Sequence, residues 1–395
     1  MIHILHPYQL RRLEWIMVLV TVLLLGIGVA FIYSAGHAIH EPVSMRFYRK
    51  QLLWAGIGIV FFLGFAMTDY HVWTNASWWL YGAGIVLLVL VLMPQVGYKV
   101  YGARRWIQVA GVRILQPSEL MKLAVIILLA KLFGWPGRDV RRVRFVFLAL
   151  ILVIVPMVLI VRQPDLGTAL IFLPVLFGIM FAAGVPFRVL GVLLALGVLV
   201  SSLVLTLILL PPKVGWSEDR QEQALELIGI TSYQRDRVLV FFDSDRDPLG
   251  AGWSKAQSQI AVGSGRFWGK GYLNGTQNIL GFLPRTVAPN DFIFSVIAEE
   301  KGFVGSAVVL ILFAVMIGSG MRAALVGRDK IGRLLCIGIV TMLFCHIFIN
   351  VAMTIGLVPI TGTPLPLISY GGTFMVGTMS ALGIMQSVYI RGDWR

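Results

Sequence analysis

Residues 15–36 read WIMVLVTVLLLGIGVAFIYSAG, an uncharged apolar run that follows Arg11, Arg12 and Glu14. As a helix rising 1.5 Å per residue it would be about 33 Å long, enough to cross roughly 30 Å of hydrocarbon. That is too long for the apolar core of a cleavable signal, so the spacing predicts a first membrane helix that stays. The same pattern recurs along the chain, at 52–67, 78–93, 120–133, 145–161, 168–185, 189–210, 303–320, 334–355 and 374–389. The expected architecture is all-α, one membrane domain over 1–395 with about ten spanning helices and one large extracytoplasmic loop near 211–290.

Composition agrees. Of 395 residues 58% are apolar and 13% charged, half the charge density of an ordinary soluble domain. The net charge of +14 would suit nucleic acid only as a stripe on a soluble face. Instead the cations favour one side: Arg11, Arg12, the 138–144 cluster, Arg188, the 322–333 group, Arg391 and Arg395 all fall there if both termini are cytoplasmic. This is the positive-inside bias of a multi-pass protein, so no nucleic-acid partner is expected. Cys336 and Cys345 share one predicted helix and read as packing residues.

The exceptions to that bias are informative. Lys99, Arg104, Arg105 and Arg113 crowd an outer loop, where cations anchor at the interface or bind an anionic headgroup. The next helix opens Gln116-Pro117-Ser118-Glu119 with Lys122 one turn on, so Glu119 and Lys122 share a face and can neutralise each other. Ionisable groups inside a span usually face a bundle interior or an aqueous cavity. Lys131, nearer the inner end, reads as a snorkelling side chain. Asp165, in Arg162-Gln163-Pro164-Asp165, either caps the following helix or joins that pair at the outer level.

The stretch from Pro289 to Lys301 is the most loaded with polar groups. Read as helix it sets Asp291, Ser295 and Glu299 on one stripe, and a break is expected near Gly302–Gly305, because a helix running from Asp291 to Gly320 would be about 45 Å long. A carboxylate there is a candidate general base, the alternative being a helix cap at Asn290 or Asp291. Within 211–290, the part from Ser217 to Asp247 reads as a solvated loop or a surface helix. Gly250 to Gly275 is glycine-rich, which permits close approach of backbone to a ligand. After Asn350 the chain runs through Pro359, Pro364, Pro366, Gly362, Gly371 and Gly372, a non-helical segment that has to line a cavity or pack in protein.

Four blocks in this order resemble the SEDS (shape, elongation, division and sporulation) family, the FtsW/RodA/SpoVE group. They are Arg105-Trp106 with Gln116-Pro117-Ser118-Glu119; Gln163-Pro164-Asp165-Leu166-Gly167-Thr168; Gly263-Ser264-Gly265 to Gly271 with Asp291-Phe292-Ile293-Phe294; and Pro364-Leu365-Pro366-Leu367-Ile368-Ser369-Tyr370-Gly371-Gly372. The first helix adds Ile32-Tyr33-Ser34, and the Pro-Leu-Pro-Leu form looks more like RodA members than FtsW members. Departures are Arg266 where the family has a second glycine, Arg285 where it has an acid, and Pro289-Asn290 where RodA members have His-Thr.

The resemblance implies a peptidoglycan glycosyltransferase in the bacterial inner membrane. It would polymerise lipid II into a growing glycan strand during elongation, releasing undecaprenyl pyrophosphate. The implied partners are a class B penicillin-binding transpeptidase, other elongation-complex proteins and membrane lipids. Asp291 matches the family's essential aspartate; Arg105, Glu119, Lys122, Asp165, Gln259, Ser264, Arg266 and Ser369 are the implied substrate-binding set. A divalent cation such as Mg2+ is allowed as a helper for the diphosphate. The alternative is a lipid II flippase or another carrier, which would want its polar groups near the midplane and open to both sides.

Overall fold

The computed structural model describes residues 12–37, 45–100, 103–109, 112–137, 142–210, 218–227, 230–283 and 287–392. A helix lies over each apolar run. They are α1 (Trp15–His37), α2 (Met45–Met67), α4 (Ser77–Leu92), α5 (Pro117–Gly134), α6 (Val143–Val161), α7 (Leu166–Ala183), α8 (Phe187–Leu209), α13 (Ile293–Val326), α14 (Lys330–Thr354) and α15 (Gly372–Ile390); α3 (Tyr70–Asn75) is a short link. Eight of the ten are long and apolar enough to cross a membrane. The other two are α4, which is shorter, and α5, which carries Glu119, Lys122 and Lys131. Helix α5 is buried on nearly every side, as is α15, whereas α8 shows almost its whole surface to the surroundings.

Two sets of contacts fix the ends of the bundle. At the proximal end Arg322 Nη1 meets the Glu14 carboxylate at 3.2 Å, and Lys330 Nζ donates to the Ala183 carbonyl at 2.9 Å. His71 there stands between Asp69 and Asp329, at 2.8 and 2.9 Å. At the distal end Ser34 Oγ donates to Glu300 Oε1 at 2.5 Å, and α7 begins at its cap Asp165. Twenty residues of α1 separate the two levels, about 30 Å of helix.

The break expected in the eighth long helix falls at Gly302, whose φ of +63° and ψ of −159° interrupt α13. A break strands backbone donors and acceptors, which must be satisfied away from water. A strap from 265 to 275 does this: Phe303 and Val304 N–H donate to the carbonyls of Arg266 and Phe267 at 2.8 and 3.1 Å, while Lys270 and Gly271 N–H donate to those of Glu299 and Glu300, both at 3.0 Å. Gly269, at φ +81°, is needed because a Cβ there would stand 2.2 Å from the Glu300 carbonyl oxygen. The close approach that the glycine-rich stretch implied is made here to the broken helix.

The leading half of α13 is buried from residue 293 to residue 300, and only Lys301 at its end is exposed. Its far end touches Ser34 on α1, and Asp291 before its near end accepts, through its carbonyl, from Asn350 near the distal end of α14 at 2.9 Å. Both ends thus sit at one level, so this half-helix lies across the distal end instead of extending beyond it.

The helical membrane architecture is the one expected, with three refinements. Beside the helices, β1 (Gly97–Val100), β2 (Ala103–Val109) and β3 (Val112–Leu115) form a small antiparallel sheet in the order β1-β2-β3. Strands this short carry no clear periodicity, and a search for membrane-length apolar runs passes over them. The 211–290 segment is not one loop; its described parts hold α9 (Glu218–Leu227), α10 (Ser232–Phe242), α11 (Ala251–Ser264) and α12 (Thr276–Ile279). Finally, α13 begins at Ile293 with Phe292 as its cap, so Asp291 lies off the stripe of Ser295 and Glu299. Ser295 Oγ pairs with Ser258 Oγ at 2.7 Å, and Glu299 with Lys270 at 2.6 Å.

Candidate active site at the distal end of the bundle

Asp291 is held from behind. The irregular chain between α14 and α15 is packed in protein, with Leu365, Leu367 and Ile368 fully buried. Ser369 Oγ accepts from Leu365 N–H at 2.7 Å and donates to the Asn290 carbonyl at 2.6 Å. Tyr370 N–H donates to the Pro289 carbonyl at 2.9 Å, and Asn350 Nδ2 bridges the carbonyls of Asp291 and Thr363 at 2.9 and 2.8 Å. The proline- and glycine-rich motif is thus a cradle that sets the backbone of 289–291.

The half-buried Asp291 carboxylate lies beside Arg237 and within electrostatic reach of Arg105. A Cβ built on Gly362 would lie 3.2 Å from Asp291 Oδ2 and 3.5 Å from Arg237 Nη1, so the two groups are no more than about 7 Å apart. Arg237, from α10, also donates to the Ile360 carbonyl at 2.8 Å. Burial pushes the Asp291 carboxyl up to about 6 with help from Asp165, against the opposing pull of Arg237 and Arg105. The acid is therefore ionised at neutral pH yet basic enough to accept a proton. It caps no helix, since the cap position belongs to Phe292.

Beside it Asp165 does two things at once. It caps α7 by accepting from Thr168 N–H at 3.4 Å, and its other oxygen accepts from Gln116 Nε2 at 3.3 Å. Arg105 on β2 stands 3.9 Å from Asp165 and donates through Nε to the Gln163 carbonyl at 3.1 Å. The sheet missing from the sequence reading is what carries this arginine. Deeper in the bundle Lys122 Nζ meets Glu119 at 2.8 Å and His346 Nε2 at 2.7 Å, all three buried, with the Phe374 ring 5.4 Å from the ammonium. Glu119 is within electrostatic reach of Asp165, so the polar groups form one chain from α5 to Asp291. Such a buried pair is held by its partners; removing one leaves a charge uncompensated.

The other predicted residues lie elsewhere. Gln259 Nε2 donates to the Ile355 carbonyl at 3.3 Å, and Ser264 Oγ bonds its own helix at Ala261 O, 3.0 Å. Arg266 is exposed on the strap, at the opposite end of the half-helix from Asp291 and roughly 15 Å away by helical rise. A shallow concavity over 264–270 is formed by that strap alone. The side chains of Lys99 and Arg113, and Arg285 altogether, lie outside the described residues. Two site residues escaped the sequence reading: Arg237, hidden in a mixed-charge stretch, and His346. The signal for the latter was available, as an ionisable group in the middle of an apolar run. Among the described residues no three metal-ligating side chains converge.

Comparison with known proteins gives a consistent picture. The model of a family of cell cycle proteins, FtsW/RodA/SpoVE, matches residues 14–391. The peptidoglycan glycosyltransferase RodA of Treponema pallidum is 33% identical, with 96% of this chain and 98% of that one aligned. The peptidoglycan glycosyltransferase MrdB of Escherichia coli K12 is 35% identical over 96% of this chain and 94% of that one. Among solved structures, a chain of a peptidoglycan synthase complex, described as coordinating polymerization and crosslinking, superposes with a TM-score of 0.74 at 30% identity, covering 95% of this chain and 97% of its own. The rod shape determining protein RodA of Thermus thermophilus gives 0.66 at 27% identity, covering 95% and 96%.

Proposed function

The chain belongs to the FtsW/RodA/SpoVE family, and on that premise we infer that it is a peptidoglycan glycosyltransferase with Asp291 as general base. It is a multi-pass membrane protein. In this reading the membrane is the bacterial inner membrane, both termini are cytoplasmic, and the distal end faces outside. The substrates are lipid II and the growing glycan strand, each anchored by a lipid in the outer leaflet.

The observation that carries the assignment is a raised carboxylate beside Arg237 and within electrostatic reach of Arg105, at the level where such headgroups lie. An acceptor sugar hydroxyl loses its proton to Asp291 as its oxygen attacks the anomeric carbon of the donor. The bond from that carbon to the diphosphate oxygen breaks, and the departing undecaprenyl pyrophosphate is stabilised by Arg105 and Arg237, with Lys122 behind them. Asp165 is already engaged by Thr168, Gln116 and Arg105, which leaves one carboxylate to act. A single displacement with inversion follows. A divalent cation, if one takes part, would arrive on the diphosphate itself and supply further charge neutralisation there, leaving Asp291 free as the base.

A class B penicillin-binding transpeptidase is the proposed partner, and elongation the proposed setting. The test is the purified protein in nanodiscs with labelled lipid II, alone and with that partner. A muramidase-sensitive ladder of glycan chains is expected. Movement of lipid II across the bilayer with no chain growth in either case would overturn the reading in favour of a carrier.

A further inference from the structure

The strap that splints the break in α13 also presents a surface the chemistry does not use. Trp268 is 75% exposed, Phe267 53% and Phe303 65%, and the Phe267 and Phe303 rings stack at 5.9 Å. Exposed aromatics of this size need a cover. Two exposed cations flank them: Arg266, whose carbonyl accepts from Phe303 N–H, and Lys301, whose ammonium lies 5.6 Å from the Tyr272 ring.

The level of this patch follows from helix lengths. From Phe303 to Val326 the trailing half of α13 is about 36 Å long, just enough to span a bilayer with modest tilt. Its proximal end is marked by the Arg322–Glu14 pair, so Phe303 stands at the opposite hydrocarbon boundary. The aromatic patch is continuous with an outward-facing apolar stripe farther along the same helix, Val308 and Ile311, 48% and 60% exposed. Aromatic rings favour the headgroup level, and cations beside them meet lipid phosphate.

We propose that the strap of residues 264–272 is an interfacial lipid-binding site that seats Phe267 and Trp268 at the hydrocarbon boundary and holds a phospholipid phosphate with Arg266 and Lys301. The occupant is bulk phospholipid. Charge complementarity, boundary level and continuity with the lipid-facing stripe all argue for it. The consequence reaches the reaction site mechanically. Lys270 and Gly271 hold the carbonyls of Glu299 and Glu300, Lys270 also pairs with the Glu299 carboxylate, and those residues end the half-helix that Asp291 precedes. Seating of the strap sets the height of that half-helix in the outer leaflet.

The experiment places a nitroxide at Trp268→Cys in a background with the buried Cys336 and Cys345 replaced, in nanodiscs of phosphatidylglycerol and phosphatidylcholine without lipid II or any partner. Relaxation by oxygen should exceed relaxation by a water-soluble nickel chelate, as for a label at Ile311→Cys. Adding Arg266→Ala and Lys301→Ala should move the 268 label toward water, and native mass spectra should lose at least one retained phospholipid. A label at 268 relaxed mainly by nickel would overturn the proposal, and shielding that appears only on adding a protein partner would assign the patch to that partner instead. A depth unchanged by the double substitution, with lipid retention also unchanged, would remove the phosphate contact. Circular dichroism and the unfolding midpoint of each variant separate these outcomes from misfolding.

Discussion

Replacing Arg237 by Gln removes a positive charge no more than about 7 Å from the Asp291 carboxylate. At that separation the attraction is worth between about 0.6 kcal/mol in water and about 2.4 kcal/mol at an effective dielectric of 20. Since 1.36 kcal/mol is one pKa unit, losing it should raise the Asp291 pKa by roughly 0.4 to 1.7 units. The sign is fixed: a carboxylate deprived of a nearby cation holds its proton more tightly. The parent group stands at about 6, so the acid limb of kcat/KM, which reports the free enzyme, should move toward neutral pH. The assay is the initial rate of glycan chain growth from labelled lipid II between pH 4.5 and 8, with Arg237→Lys as the charge-preserving control. Lower activity at every pH is expected as well, because the diphosphate loses a donor, so the position of the limb and not its height is the readout. A limb that stays in place or moves to lower pH, with Arg237→Lys behaving the same way, would refute the electrostatic reasoning.

Asp165→Asn should shift the same limb the opposite way, because Asp165 raises the Asp291 pKa, while the amide keeps the α7 cap; the same rate profile checks it. Ser369→Ala strands Leu365 N–H and frees the Asn290 carbonyl, so unfolding stability should fall by about 1–3 kcal/mol and kcat should drop more than KM changes. Lys122→Met leaves Glu119 buried without its ammonium and should cost roughly 3–5 kcal/mol by thermal unfolding in nanodiscs, whereas the double change Glu119→Gln with Lys122→Met should recover part of it. Gly302→Ala puts a Cβ 2.4 Å from Gly269 N at a φ of +63°, so it should loosen the strap, read as faster hydrogen exchange over 265–275.

The membrane architecture was legible because bilayer thickness imposes run length, and each run from 15–36 to 374–389 has its helix. The break at Gly302 was legible for the same reason, since a helix through it would have been too long. What could not be read was how distant segments converge. Asp291 appeared to share a stripe with Ser295 and Glu299, but the chain enters the helix only at Phe292, a boundary that periodicity does not fix. Arg237 looked like one of several loop charges until α10 brought it to Gly362. Arg266 and Ser369 sit in motifs of the same family as Asp291, yet Arg266 is exposed on the strap and Ser369 braces the backbone beside Asp291. Sequence order shows that a motif exists; only tertiary contacts say whether it touches the reacting atoms.

The central claim, that Asp291 takes the proton from the attacking hydroxyl, is tested most directly by Asp291→Asn in the purified protein with labelled lipid II. The amide keeps the shape of the side chain, so the unfolding midpoint should hold or rise slightly. Chain growth should fall by about 10²–10⁴-fold, the range for loss of a positioned general base, and the residual rate should lose the acid limb near pH 6. Polymerisation within a few-fold of the parent, with the limb intact, would contradict the account.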